Sequence, residues 1–357
     1  MRRRIALSVF SALVLVTAVL GATLGWRQWQ RARDRTLIGF APPPLLAVEA
    51  DEPLAPDERS LGLVGDVMLG RNVAGIAERK HVPFDALFDG ARPFLAGVDV
   101  AFANLESPIT DRGARKDGHA YAFRAPPEAA AALRGAGLDV VSLANNHALD
   151  YHADGLEDCV RRVRDAGLLA VGVGDPRGPQ EPVIVDARGV TVGFLAYCDP
   201  RSPKGCNGRD RRQLPRPYRA TDAALERDIA AARPQVDVLV VSLHWGSEGQ
   251  EAPEARQVEL GRHIIDLGAD VVAGHHPHAQ QPAELYGRGV ILYSMGNFVF
   301  DQYARARFTE ARFFRIIVAK GGVRRAAYLP LQFQKGVWQP RPTADSLIAV
   351  TALHRVP

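Results

Sequence analysis

The chain has 357 residues, 47% hydrophobic and 24% charged, a composition that supports a large buried core and excludes a disordered chain. Its net charge of +4 would by itself suggest an anionic partner, but residues 1–35 hold seven arginines against one acid, Asp34, which leaves the remainder at −2. The charge balance therefore implies no nucleic-acid partner.

In chain order, the first feature is IALSVFSALVLVTAVLGATLGW, residues 5–26, which carries no charge and lies between two arginine groups. A helix of that length spans a hydrocarbon core of ~30 Å, so residues 1–35 are expected to form a single-pass membrane anchor with basic flanks. RRR at positions 2–4 would also serve as the n-region of a cleaved signal peptide, but no A-x-A site follows the apolar run. With the short N-terminus inside, the globular part is expected outside the cell membrane, although Arg27, Arg31, Arg33 and Arg35 compete with the leading triplet for that orientation. Residues 36–59, rich in proline and acid, read as a tether. A folded domain is expected over residues 60–335 and a C-terminal tail over 336–357.

Within the domain, apolar runs such as LGLVGD, VDVAFANLE, LDVVSLANN, LLAVGV, VTVGFLAY, VDVLVVSLHW, ADVVAGHH and GVILYSMGNFVF alternate with helical patterns. The helical segments are PPEAAAALRGAG, DGLEDCVRRVRDAG, TDAALERDIAAARP and EARQVELGRHIIDLGA. This alternation predicts an α/β fold with largely buried sheets. Three cysteines, Cys159, Cys198 and Cys206, lack zinc-motif spacing; Cys198 and Cys206 flank a polar loop and suit either a disulfide or unpaired thiols.

Polar residues fall where five strands are expected to end: Asp66, then Asn104 and Glu106, then Asn145, Asn146 and His147, then His244, and lastly His275, His276 and His278. In open α/β sheets ligands bind at those ends. A lone aspartate there is ordinarily a turn or cap residue, and a lone histidine an ordinary hydrogen-bonded side chain. Together, buried without a partner, the groups would cost several kcal/mol, a penalty that a divalent metal removes. Oxygen and nitrogen donors without cysteine suit Zn²⁺, Mn²⁺ or Fe rather than Ca²⁺, and a donor count above four suggests one or two ions, the latter sharing a carboxylate.

Six stretches, GDVMLGR, ANLESPIT, SLANNHALDY, SLHWGSE, HPHAQQP and YSMGNFVFDQ, occur in the order of the CapA family, and the chain resembles that family over roughly residues 60–330. The family is named for poly-γ-glutamate capsule biosynthesis and is related to calcineurin-like metallophosphoesterases. The resemblance implies a four-layer αββα sandwich of two mixed sheets with metals at one edge. It implies Asp66, Glu106, Asn146, His244, His276 and His278 as metal ligands, Glu106 bridging, with His147 catalytic and Asp150 orienting it. Arg71, Asn104 and Asn297 are the substrate-binding candidates, Arg71 through a phosphate or carboxylate. Asp301 is expected near the cleft, Phe298 and Phe300 in the core, and His275 behind the ligands or solvated. Two departures stand out: Met68 occupies a position where the wider superfamily has a ligand histidine, and Asn104-Leu105-Glu106 replaces its Gly-Asp pair.

The function so implied is a membrane-anchored, metal-dependent hydrolase-like protein acting on a capsular or cell-surface polymer such as poly-γ-glutamate. Its expected partners are that anionic polymer or its precursor, the membrane, and other capsule-synthesis membrane proteins. The alternatives are a non-catalytic subunit of a polymer synthesis or export complex, and a phosphoesterase acting on an unrelated phosphate ester.

Overall fold

The apolar runs assemble into two mixed sheets in a computed structural model, which describes residues 53–117, 121–201, 215–333, 340–344 and 347–350. The expected anchor, residues 5–26, lies outside the described residues, among which no helix is long and apolar enough to cross a membrane. The first sheet contains β1 (Arg59–Val67), β2 (Val100–Leu105), β3 (Val140–Ser142), β4 (Leu169–Val171), β13 (Asn297–Val299), β14 (Glu310–Ala319), β15 (Gly322–Gln332), β16 (Arg341–Pro342) and β17 (Ile348–Ala349). Its main path runs β16-β15-β14-β1-β2-β3-β4, with β13 paired to β1 and β17 to β15. The second sheet has the order β11-β12-β10-β9-β7-β6, from β6 (Val183–Ala187), β7 (Val190–Cys198), β9 (Val238–His244), β10 (Val271–His275), β11 (Ala283–Tyr286) and β12 (Gly289–Leu292). A short ribbon joins β5 (Val173–Gly174) to β8 (Arg216–Pro217).

The two sheets share a core. Leu63, Phe102 and Phe314 of the first meet Phe194, Val240 and Ala273 of the second, and the Phe102 and Phe194 rings stack 5.6 Å apart. Burial of each such phenylalanine contributes about 1.5–3 kcal/mol. The other face of the first sheet, including Ala103 and Val141, packs on Leu133, Leu156 and Val163 of the helices Ala129–Gly135 and His152–Asp165. Against the second sheet lie the helix Ala255–Asp266, beside β10 and β12, and the helix Asp222–Ala232, whose Asp228 accepts a 3.0 Å hydrogen bond from Tyr197 of β7. The side chain of Thr221 caps the N-terminus of Asp222–Ala232, and a Glu254–Gln257 capping box opens Ala255–Asp266. All four expected helices are present, and this mixed α/β arrangement fits a metallophosphoesterase-like fold.

Three expectations need adjusting. The single run GVILYSMGNFVF is two strands in different sheets, β12 and β13, separated by a turn in which Gly296 has φ +72°. The region read as a tail supplies β16 and β17, which pair with β15. Strand β1 begins at Arg59, inside the segment read as tether. Cys159 is free and buried and Cys198 is disulfide-bonded, which decides against an unpaired thiol there; Cys206, the other cysteine flanking that loop, lies outside the described residues.

Strands β1, β2 and β3 are parallel, as are β9 and β10, so their carboxyl ends carry the polar residues to one edge. Register places Asp66 opposite Asn104 and His244 opposite His275. Two glycines permit the close approach of neighbouring backbone. A Cβ on Gly65 would lie 1.9 Å from the Gly296 carbonyl, and one on Gly274 would lie 2.1 Å from that of Tyr293. Gly65→Ala is therefore expected to force β1 away from the turn bearing Gly296, lowering unfolding free energy by about 1–3 kcal/mol in denaturant titration.

Candidate metal centre

Asp66 occupies the centre of the site. A register shift between Leu63 and Asp66 interrupts the β1–β2 ladder just before it, the kind of irregularity that re-aims a side chain. Its Oδ1 accepts from Asn104 Nδ2 at 2.8 Å and lies 3.1 Å from His275 Nδ1, while Oδ2 lies 3.1 Å from His278 Nδ1. Burial pushes this carboxyl up, but the hydrogen bonds and charge of His275 and His278 outweigh it and hold Asp66 well below its ordinary value.

Glu106 follows β2 and has the opposite electrostatics. Fully buried, it accepts from Asn104 Nδ2 at 3.3 Å through Oε2, whereas Oε1 has no hydrogen-bond partner. Burial, then the negative charges of Asp66, Glu248 and Asp150, raise its pKa well above the ordinary 4.5. Asn104 is itself buried, receives Asn145 Nδ2 at 3.1 Å on its carbonyl, and so positions both carboxylates.

The histidines converge from the second sheet. His244 ends β9 with Nε2 2.9 Å from Asn146 Oδ1, and its ring centroid is 4.7 Å from that of His276. Burial, followed by the proximity of His276, keeps His244 well below 6.5; burial and His278 hold His276 down to about 4. Both are thus neutral imidazoles, the form that binds metals. His276 and His278 adopt φ of +96° and +58°, conformations costly for non-glycine residues and typical of ligand-holding turns.

The residues fit a divalent ion. Glu106 Oε1, both ring nitrogens of His276 and Nε2 of His275 are buried without hydrogen-bond partners, an arrangement that costs about 1–3 kcal/mol per group unless something binds there. Two triads, Glu106–His276–His278 and Asp66–Glu106–His244, each bring ligand atoms within 4.8 Å of one another. Glu106 belongs to both. Among the described residues these are the groupings that could hold an ion.

His147 lies beside them. Its Nδ1 is 2.7 Å from Asp150 Oδ2, its Nε2 is 3.9 Å from Glu106 Oε1, and its ring stacks on Phe123 at 3.8 Å. Asp150 also accepts the backbone N–H of Phe123 at 2.7 Å, so one carboxylate fixes both rings. Arg71 pairs through Nε with Asp301 at 3.1 Å, and Asp301 is buried near the site as expected. Asn297 is buried, with its carbonyl 2.9 Å from His278 Nδ1 and its amide bonded to Gln302 and Phe308. Phe298 and Phe300 are core residues, the latter packing against the His278 ring. Met68 is buried and its sulfur accepts the Gly70 N–H at 3.2 Å.

Every ligand position named from the sequence lies in this cluster or, for Asn146, directly on it. His275 is buried against Asp66, which rules out the solvated alternative. Sequence reasoning placed Asn145 among the polar strand ends without a role of its own, which is to tie Asn104 and the Leu105 carbonyl to the His147 backbone, and it did not single out Phe123. Asn145 stood in the same NNH string and was legible there; Phe123 lies in a loop with no strand or helix periodicity to announce it.

The family model described as "Bacterial capsule synthesis protein PGA_cap" matches residues 60–302. The chain is 30% identical to "Capsule biosynthesis protein CapA" of Bacillus anthracis, across 84% of this chain and 74% of that one. It is 31% identical to "PGA biosynthesis protein CapA" of Bacillus subtilis (strain 168), across 84% and 78%. A "probable polyglutamine synthesis accessory protein" of Mycobacterium tuberculosis (strain CDC 1551 / Oshkosh) is 32% identical, across 69% and 75%. With the family model covering most of the folded domain and these relatives most of the chain, the protein belongs to the CapA family of bacterial capsule synthesis proteins.

Proposed function

We propose that the protein, held at the cell membrane by its N-terminal segment with the folded domain outside, is a metal-dependent hydrolase-like protein. It acts in synthesis, release or attachment of an anionic cell-surface polymer such as poly-γ-glutamate, alongside other membrane proteins of capsule synthesis. The observation that carries this reading is the set of buried donors without partners, Glu106 Oε1 and the His276 ring, at the carboxyl edge of two sheets. The shared core with helices against both sheets supports the four-layer sandwich that the reading requires.

Asp66, Glu106, His244, His276 and His278 would hold the ion or ions, with Asn146 beside His244; Mn, Zn or Fe suits this donor set. Such an ion supplies electrophilic polarisation of a substrate oxygen. His147 handles the proton. Donation from Nδ1 to Asp150 fixes the tautomer and leaves Nε2 to exchange a proton with the reacting group, while the Phe123 ring covers one face and excludes water.

Elemental analysis of the full-length protein, supplied with Mn²⁺, Zn²⁺ and Fe²⁺, is expected to find about one or two ions per chain. Asn146→Ala combined with His276→Ala should remove them. A second reading, a non-catalytic subunit of a polymer synthesis or export complex, is favoured by Met68, whose thioether is turned to the core and is a poor ligand for these ions. Absence of any ion in the wild type would put that reading first.

A further inference from the structure

Arg71 is a residue that the chemistry above does not use. It follows Gly70 at the start of the helix Arg71–Arg79 and adopts φ +50°, a left-handed conformation disfavoured for arginine. A Cβ on Gly70 would lie 2.4 Å from the Arg124 carbonyl, so the absence of a side chain lets the 121–124 segment close over this point. The guanidinium carbon then sits 5.4 Å from the Tyr121 ring and 5.2 Å from the Phe123 ring. Phe123 is the ring that stacks on His147. Arg71 is thus separated from the proton-handling histidine by one aromatic side chain. Its Nε is fixed by the buried Asp301, and among the described residues its two terminal nitrogens have no hydrogen-bond acceptor. The side chain keeps one third of its surface exposed, and Tyr121 is 60% exposed, so this edge faces solvent.

We infer that Arg71 is a specificity-determining residue whose terminal guanidinium edge binds a carboxylate of the polymer at the rim of the metal centre. The inference rests on the polymer reading of the site and adds which substrate group is recognised. A planar fork held on one edge by Asp301 and flanked by rings is preorganised, so a carboxylate binds it in bidentate fashion with little ordering cost. A phosphate has the same chemistry, and the test separates the two.

Calorimetric titration of full-length protein with a γ-linked glutamate oligomer, with its methyl ester, and with inorganic phosphate tests this. Arg71→Ala alone would strand the buried Asp301 carboxylate, so the informative variant is Arg71→Gln with Asp301→Asn. It should bind the free acid roughly ten- to hundredfold more weakly and no longer distinguish acid from ester. Arg71→Lys, which keeps the charge and loses the fork, should lose roughly tenfold. Equal affinity of wild type and both variants for the free acid overturns the inference and leaves the polymer reading standing. Arg71-dependent binding of phosphate without oligomer binding overturns this inference together with the polymer reading, and reassigns the guanidinium edge to a phosphate. No binding of either anion by the wild type overturns the clamp.

Discussion

Replacing His147 with alanine is expected to stop polymer processing while leaving metal content and fold intact. The side chain is only slightly exposed, and its contacts are the Asp150 carboxylate at 2.7 Å, the Phe123 ring, and Glu106 Oε1 at 3.9 Å. It belongs to neither ligand triad. Removing it therefore takes away the proposed proton carrier without taking away a member of either ligand triad. Loss of general acid–base assistance lowers rates by on the order of 10²- to 10⁴-fold. The rate is read from the shift in polymer length after incubation with metal-supplied, full-length protein, with elemental analysis of the same samples. Asp150→Asn should lower the rate as well, because its amide no longer dictates the His147 tautomer and only partly replaces the acceptor of the Phe123 N–H. An unchanged rate in His147→Ala would remove this residue from the mechanism and leave the proton to another group.

How much of this was legible in the sequence depended on periodicity. Strands β1, β2, β3, β9 and β10 are continuous apolar runs followed at once by Asp, Asn, Glu or His, so both the strand and its functional end could be read locally. The hairpin β14–β15 was not legible, because RFFRIIVAK and VRRAAYLPLQ interleave arginines with apolar residues. Arg312 and Arg315 nevertheless lie in a strand covered on both faces: Phe314 and Ile316 enter the core between the sheets, while Ala311 and Phe313 join the core on the other side. The division of GVILYSMGNFVF between two sheets was hidden because apolar character continues through Tyr293 and Met295, both buried. Only Gly296 marks the turn. At the site, the ligand types could be read from one dimension, but their sharing could not. That Asn104 touches Asp66, Glu106 and His244 together is a product of strand register.

Glu106→Gln is expected to make the metal-free protein more stable and the metal-supplied protein less so. The folded state raises the Glu106 pKa above the ordinary 4.5 through burial and the neighbouring carboxylates, so it binds this proton more tightly than the unfolded chain. The favourable contribution is then full below 4.5 and is lost as pH rises through the folded value. His276 acts in the opposite sense: lowered from 6.5 to about 4, its contribution is full above 6.5 and is lost as pH falls toward 4. Metal-free wild type should accordingly show a stability maximum with an acidic limb from the histidines and an alkaline limb from Glu106. Glutamine removes the alkaline limb, so the metal-free variant should be the more stable of the two at pH 8. Adding Mn²⁺ or Zn²⁺ at 100 times its dissociation constant stabilises the wild type by about 2.7 kcal/mol. The variant, having lost the one carboxylate common to both triads, should gain much less. Thermal melts across pH, with chelator and then with metal, would show the order of the two proteins reversing. If Glu106→Gln is instead the less stable protein in chelator at pH 8, the carboxylate already has a compensating partner, and its orphaned oxygen no longer argues for a bound ion.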